Sequence, residues 1–226
     1  MPGCCIDHIA ITAPSLAVGA DFVRDVLGVT PLTGGEHPRM GTHNLLLRLG
    51  EALYLEVVAP NPQAPAPARP RWFALDRLRP DSAPALSTWV ARTTDIGATA
   101  AASSEALGEI EPMSRGALNW LITIPADGSV PLDGVAPALI EWQTEVHPAT
   151  RLPDSGLRLA ELKIFHPDPD RVERLLCSLG FAGPIRVAAP PGEGAAHLLA
   201  RINTPQGLRE LSCPDPFSAG ITGDSL

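Results

Sequence analysis

Apolar residues along this chain alternate at a spacing of two, change to a spacing of roughly three to four, and change back, and the sequence of changes recurs. In "DHIAITAPSLAVGADFVRDVLGV" (7–29) a strand-like run meets a Pro/Ser turn, then Phe22, Val26 and Leu27 at helical spacing, then a Leu-Gly stop. "AELKIFHPDPDRVERLLCSLGF" (160–181) repeats that order, with Pro167 at the place of Pro14 and Val172, Leu175, Leu176 and Leu179 on the apolar helix face. Ser15 and Asp168 are the expected helix N-caps, and Gly28 and Gly180 the left-handed ends.

The strands that follow correspond as well. "HNLLLRLGEALYLEVVAP" (43–60) parallels "HLLARINTPQGLRELSCP" (197–214), which sets Glu56 opposite Glu210 and Pro60 opposite Pro214. A weaker middle copy runs through "STWVARTTDIGATAAASSEAL" (87–107), "LNWLITIP" (118–125) and "PALIEWQTEVHP" (137–148), with Glu141 at the Glu56 position. The pattern therefore predicts an α+β protein of repeated strand–helix–strands modules: 5–60, 86–148 and a C-terminal copy at 156–214. Between the first two, the Pro-rich linker 61–85 surrounds "RWFALDRL", whose Trp72, Phe73 and Leu75 require burial.

Composition narrows the partners. The balance of 17 basic against 25 acidic residues gives a net charge of −8 and no cationic cluster, so no nucleic-acid partner is expected. No apolar run approaches the roughly 20 residues needed to span a bilayer, so a membrane partner is not expected either. The N-terminus enters a strand pattern directly, and the expected location is the cytoplasm. Cys4, Cys5, Cys177 and Cys213 form no CxxC spacing and read as small hydrophobes. Without GxGxxG, a GK[ST] phosphate loop, HExxH or GxSxG, no nucleotide cofactor is expected.

Candidate chemistry lies on the strands. His8 alternates with Ile6 and Ala10, and Glu56 with Tyr54 and Val58. If the sheet curls toward those faces, His8 and Glu56 meet on its concave side. A carboxylate inside "LYLEVVA" is costly to bury without a cation, a metal or strong donors. His43 is either a pocket base or ligand, or a hydrogen-bonded residue at a strand start. Alternation sends Asn44 to the face opposite His43. His37 is placed in an exposed loop rather than facing the cup, and His147, His166 and His197 are read as structural.

The paired modules, "DHIAI", the closing carboxylates, "GGEHPRMGTHN", "RPRWFALD" and "HPA" together resemble the vicinal oxygen chelate superfamily, in its glyoxalase-like domain branch. That resemblance implies βαβββ modules forming a cup-shaped, partly open β-barrel around a divalent ion. By position, His8, Glu56 and Glu141 would be metal ligands for Mn, Fe, Ni or Zn, and the fourth place falls on Trp89, which cannot ligate. Pairing of the first module with the third would instead bring in Glu161 and Glu210. Two functions follow. One is a metal-dependent lyase, isomerase or dioxygenase acting on a small oxygenated metabolite, with Glu56 and His43 as catalytic groups. The other is a metal-free small-molecule-binding protein, similar to bleomycin-resistance proteins, with Tyr54, Trp89, Trp120 and Trp142 lining the pocket. An uncovered third module would also favour a homodimer.

Overall fold

Ser15 ends the first strand, and its hydroxyl accepts the Val18 N–H at 3.3 Å, which starts helix α1 (Leu16–Leu27). Gly28 closes it in the left-handed region, at φ 73°, with its N–H on the Arg24 carbonyl. Asp95 and Asp168 cap α2 (Ile96–Ala102) and α4 (Pro169–Ser178) in the same way, and a single tight turn, α3 (Pro131–Gly134), lies between them. The computed structural model describes residues 3–212, so Cys213 and Pro214 lie outside the described residues.

Eight strands form one curled sheet: β1 (Cys5–Thr12), β2 (Leu32–His37), β3 (Thr42–Gly50), β4 (Leu53–Pro60), β5 (Ala85–Arg92), β6 (Glu109–Arg115), β7 (Leu118–Ile124) and β8 (Ala138–Trp142). Their order is β2-β3-β4-β1-β5-β8-β7-β6. The first two modules join where β1 runs antiparallel to β5, with His8 opposite Val90. Parallel pairing of β1 with β4 recurs in β5 with β8, so the two modules share one topology. The outer strands β2 and β6 curl toward each other, and Arg39 bridges them through Glu111 and the Pro112 carbonyl. The result is the half-barrel expected from the repeat.

The C-terminal unit departs from it. Its sheet has the order β10-β9-β11-β12, from β9 (Arg158–Phe165), β10 (Ile185–Ala188), β11 (His197–Thr204) and β12 (Gly207–Ser212). Here the first strand sits inside, flanked by β10 and β11, and has no open edge of the kind β1 offers to β5. Leu162, Ile164, Leu198, Ala200, Ile202 and Leu211 instead pack with Ile9, Leu55, Val57 and Leu139 on the convex side of the large sheet. The unit thus covers its apolar face within the same chain. Module one pairs with module two. Glu161 and Glu210 lie on the outer face, where Glu161 pairs with Arg186 at 3.0 Å and Arg201 bridges to Glu210 at 2.8 Å, so neither reaches the cup.

The linker behaves as its aromatic residues require: Trp72, Phe73 and Leu75 are buried against the cup. Cys4 is buried, whereas Cys177 is exposed and not the small hydrophobe expected. No helix among the described residues is long and apolar enough to cross a membrane.

One glycine fixes how closely α1 approaches the sheet. A Cβ on Gly19 would stand 2.3 Å from Val57 Cγ1 and 3.0 Å from Ala13 Cβ, both fully buried. Alanine gains about 1 kcal/mol in helix propensity, but overpacking a well-filled core costs about 1–3 kcal/mol. Gly19→Ala is therefore expected to lower the urea midpoint, and a raised midpoint would show that the helix moves outward freely.

Candidate functional site

A single register shift builds the floor of the cup. Between Ile6 and His8 the β1/β5 ladder skips a residue, leaving Asp7 as the extra one. Ile6, which strict alternation would put beside His8, packs with Ile9 and Ile11 instead. Asp7 is wholly buried, and its two oxygens are fully used. Oδ1 accepts His8 Nδ1–H at 2.7 Å, while Oδ2 accepts Trp142 Nε1–H and His147 Nε2–H, each at 2.9 Å. His147 carries that proton because its Nδ1 accepts the Ala149 N–H. Asp7 thereby turns His8 Nε2 toward Glu56, whose Oε2 lies 3.5 Å away. Tyr54 stacks on His8 with ring centroids 4.5 Å apart at 16°, a favourable arrangement for a cationic ring.

Glu56 is buried and connects to the mouth through one amide. Asn44 Nδ2 donates to Glu56 Oε1 at 2.5 Å, and Asn44 Oδ1 accepts from Gly35 N and from Arg115 Nη1 at 2.9 and 3.0 Å. Arg115 Nη1 also faces His37 Nε2 at 3.4 Å, and His37 Nδ1 donates to Thr42 Oγ1. This arrangement explains the paired glycines of β2. A Cβ on Gly34 would meet Asn44 Oδ1 at 2.2 Å, and one on Gly35 would meet Arg115 Cδ at 2.6 Å. Only a strand stripped of side chains there lets Arg115 cross from β6 to the amide.

These groups line one narrow pocket whose walls are Tyr54, Trp72, Phe73, Trp120, Ile122, Ile140 and Trp142. Burial disfavours charge on His8, but the hydrogen bonds and negative charges of Asp7 and Glu56 outweigh it and raise its pKa to about 9. Burial works against ionised Glu56 too, yet the His8 hydrogen bond, the His8 charge and the Asn44 amide bring it down to about 2. Asp7 falls well below the usual carboxylate range, because its bonds to His147 and His8 overcome desolvation. His37 moves the other way: burial, helped by the Arg115 charge, lowers it to about 4 and keeps it neutral.

Of the residues singled out by sequence, His8, Glu56, Tyr54, Trp120 and Trp142 meet in this pocket. Three do not. Glu141 lies on the other face of β8, accepting the Ile96 N–H at the start of α2 and the Gln143 amide. Trp89 is wholly buried on the convex side, donating to the Val135 carbonyl and set edge-on to Phe181. His43 is half-buried opposite Glu36, on the face away from Asn44, and cannot act with Glu56. Conversely, His37 faces the cup and His147 joins its network, against expectation. Asp7 and Arg115 went unnoticed, and Asn44, Trp72 and Phe73 were noted without being assigned to the site. Asp7 alone carried a signal, an acid within an apolar strand, which alternation hides until the bulge is known.

A divalent ion of the kind the resemblance implies requires three or four protein donors. The cup offers His8 Nε2 and Glu56, which already satisfy each other, and His37, whose two ring nitrogens face Arg115 and Thr42. On the second module the concave side presents Thr88 and Val90 from β5, and Ala138, Ile140 and Trp142 from β8. No group of three His, Cys, Asp or Glu among the described residues is arranged to hold an ion. The residues do not fit the metal.

Comparison with known proteins agrees with this architecture. The description "Glyoxalase-like domain" matches residues 6–180. The chain belongs to this family. No curated protein matches the glyoxalase-like chain. Among solved structures it is similar to a hypothetical protein from Staphylococcus aureus, at 13% identity and TM-score 0.58, covering 85% of this chain and 87% of that one. Methylmalonyl-CoA epimerase from Streptomyces coelicolor, in complex with 2-nitronate-propionyl-CoA, aligns at 19% identity and TM-score 0.40, over 62% of this chain and 97% of that one. The Mycobacterium tuberculosis methylmalonyl-CoA epimerase gives 18% and 0.40, over 60% and 86%. The vicinal oxygen chelate fold is thus the fold of this chain.

Proposed function

We propose that this glyoxalase-like protein binds a small oxygenated organic molecule in its cup without a metal ion. The observation that carries this reading is the composition of the concave face: β5 and β8 of the second module place aliphatic, aromatic and hydroxyl groups where β1 and β4 of the first place His8 and Glu56. Aromatic walls around a few fixed polar groups suit a small ligand. The charged pair supports binding over proton transfer. General bases work best with a pKa near the operating pH, and Glu56 is held at about 2 while His8, at about 9, already carries its proton. The alternative, a metal-dependent lyase, isomerase or dioxygenase, would have to assemble its ion on His8, His37 and Glu56, which are already bonded to other groups and not arranged around a common point.

Thermal unfolding tests this proposal. After treatment with a chelator, Mn, Fe, Ni and Zn offered separately are expected to leave the midpoint unchanged. An ion that raises the midpoint of wild type, but not of His8→Ala or Glu56→Ala, would overturn it.

A further inference from the structure

We infer that the cup selects organic acids: a planar molecule whose carboxylate is taken by Arg115 and whose second oxygen is taken by the indole N–H of Trp72. The inference rests on the binding reading above and adds the class of ligand. Three charged side chains line the pocket, and two of them, His8 and Glu56, face each other. Arg115 has no carboxylate within 4.0 Å among the described residues; its contacts are the neutral Asn44 amide oxygen and the His37 ring. A guanidinium that lines a recess without a counter-ion of its own is a ready site for a carboxylate, which it can engage with two N–H groups at once.

The second observation is independent of charge. Trp72 is 4% exposed and lines the same pocket, yet its Nε1–H is buried without a partner among the described residues. An unsatisfied buried donor costs free energy that an oxygen acceptor on a ligand would recover. Both residues neighbour His37: Trp72 lies edge-on to its ring with centroids 5.1 Å apart, and Arg115 Nη1 faces its Nε2 at 3.4 Å. A second recess, lined by His37, Arg39, Met113 and Trp120, opens on the seam between β2 and β6 and shares His37 and Trp120 with the pocket.

The test is calorimetric titration of the full chain with 3-hydroxybenzoate, 4-hydroxyphenylacetate and 5-hydroxyindole-3-acetate, each of which carries an oxygen besides its carboxylate, beside the uncharged amide of each. Acids are expected to bind roughly tenfold more tightly than the amides, a difference that Arg115→Gln abolishes while leaving amide affinity in place. Trp72→Phe, which keeps a ring and removes the N–H, is expected to weaken acids and amides alike. Amides binding wild type as tightly as acids would overturn the charge selection and leave the pocket standing. Failure of every acid and every amide to bind folded wild type would overturn the pocket reading itself.

Discussion

Replacing Asp7 with alanine is expected to lower the unfolding free energy by about 3–5 kcal/mol, the cost of removing one partner from a buried, hydrogen-bonded charge pair. Asp7 sits at 0% exposure and accepts from His8, Trp142 and His147, with Arg92 Nη1 3.7 Å away. Alanine would strand three donors and leave the His8 cation with Glu56 as its sole counter-ion. Because Asp7 also orients His8, the substitution should release the ring from its stack on Tyr54. Urea unfolding of Asp7→Ala beside Asp21→Ala, an exposed acid on α1, checks the size. A loss at Asp7 no larger than at Asp21 would show that the network does not hold the cup.

The second large effect is a stability maximum near neutral pH with limbs of opposite origin. His8 is raised from 6.5 to about 9, so its contribution is complete below pH 6.5 and disappears as pH rises toward 9. That change corresponds to about 3 kcal/mol, since each unit of pKa is worth about 1.4 kcal/mol. On the acid side the signs reverse. Glu56, lowered from 4.5 to about 2, contributes above 4.5 and loses its contribution as pH falls toward 2. His37, lowered to about 4, favours the folded state above 6.5 and loses that advantage as the pH drops through 4. His8→Gln should flatten the alkaline limb and leave the His37 part of the acid limb intact. An alkaline limb unchanged in His8→Gln would assign it to other groups.

Much of the architecture was legible because the hydrophobic period and the caps repeat. Ser15 and Asp168 cap the helices named for them, and Glu56 with His8 meets on the concave face. Two kinds of information were not local. Strict alternation fails at one bulge, and that single extra residue moves Ile6 to the core and brings Asp7 into the site. In the second module the positions carried over from the weaker repeat copy put Trp89 and Glu141 on the wrong face; Val90 and Ile140 take the concave positions. The third unit shares the strand and helix spacing of the first, but spacing does not encode strand order, and β9 pairs on both sides. Arg115 and Asn44 come together only because the two ends of the sheet approach and Gly34 and Gly35 leave room.

The most direct test of the central claim is elemental analysis of wild type purified without chelator and then dialysed after exposure to Mn, Fe, Ni and Zn. The account predicts far less than one ion per chain, and the same trace content in His8→Ala and Glu56→Ala. One ion per chain in wild type, lost in both variants, would contradict it and make His8 and Glu56 the core of a metal centre.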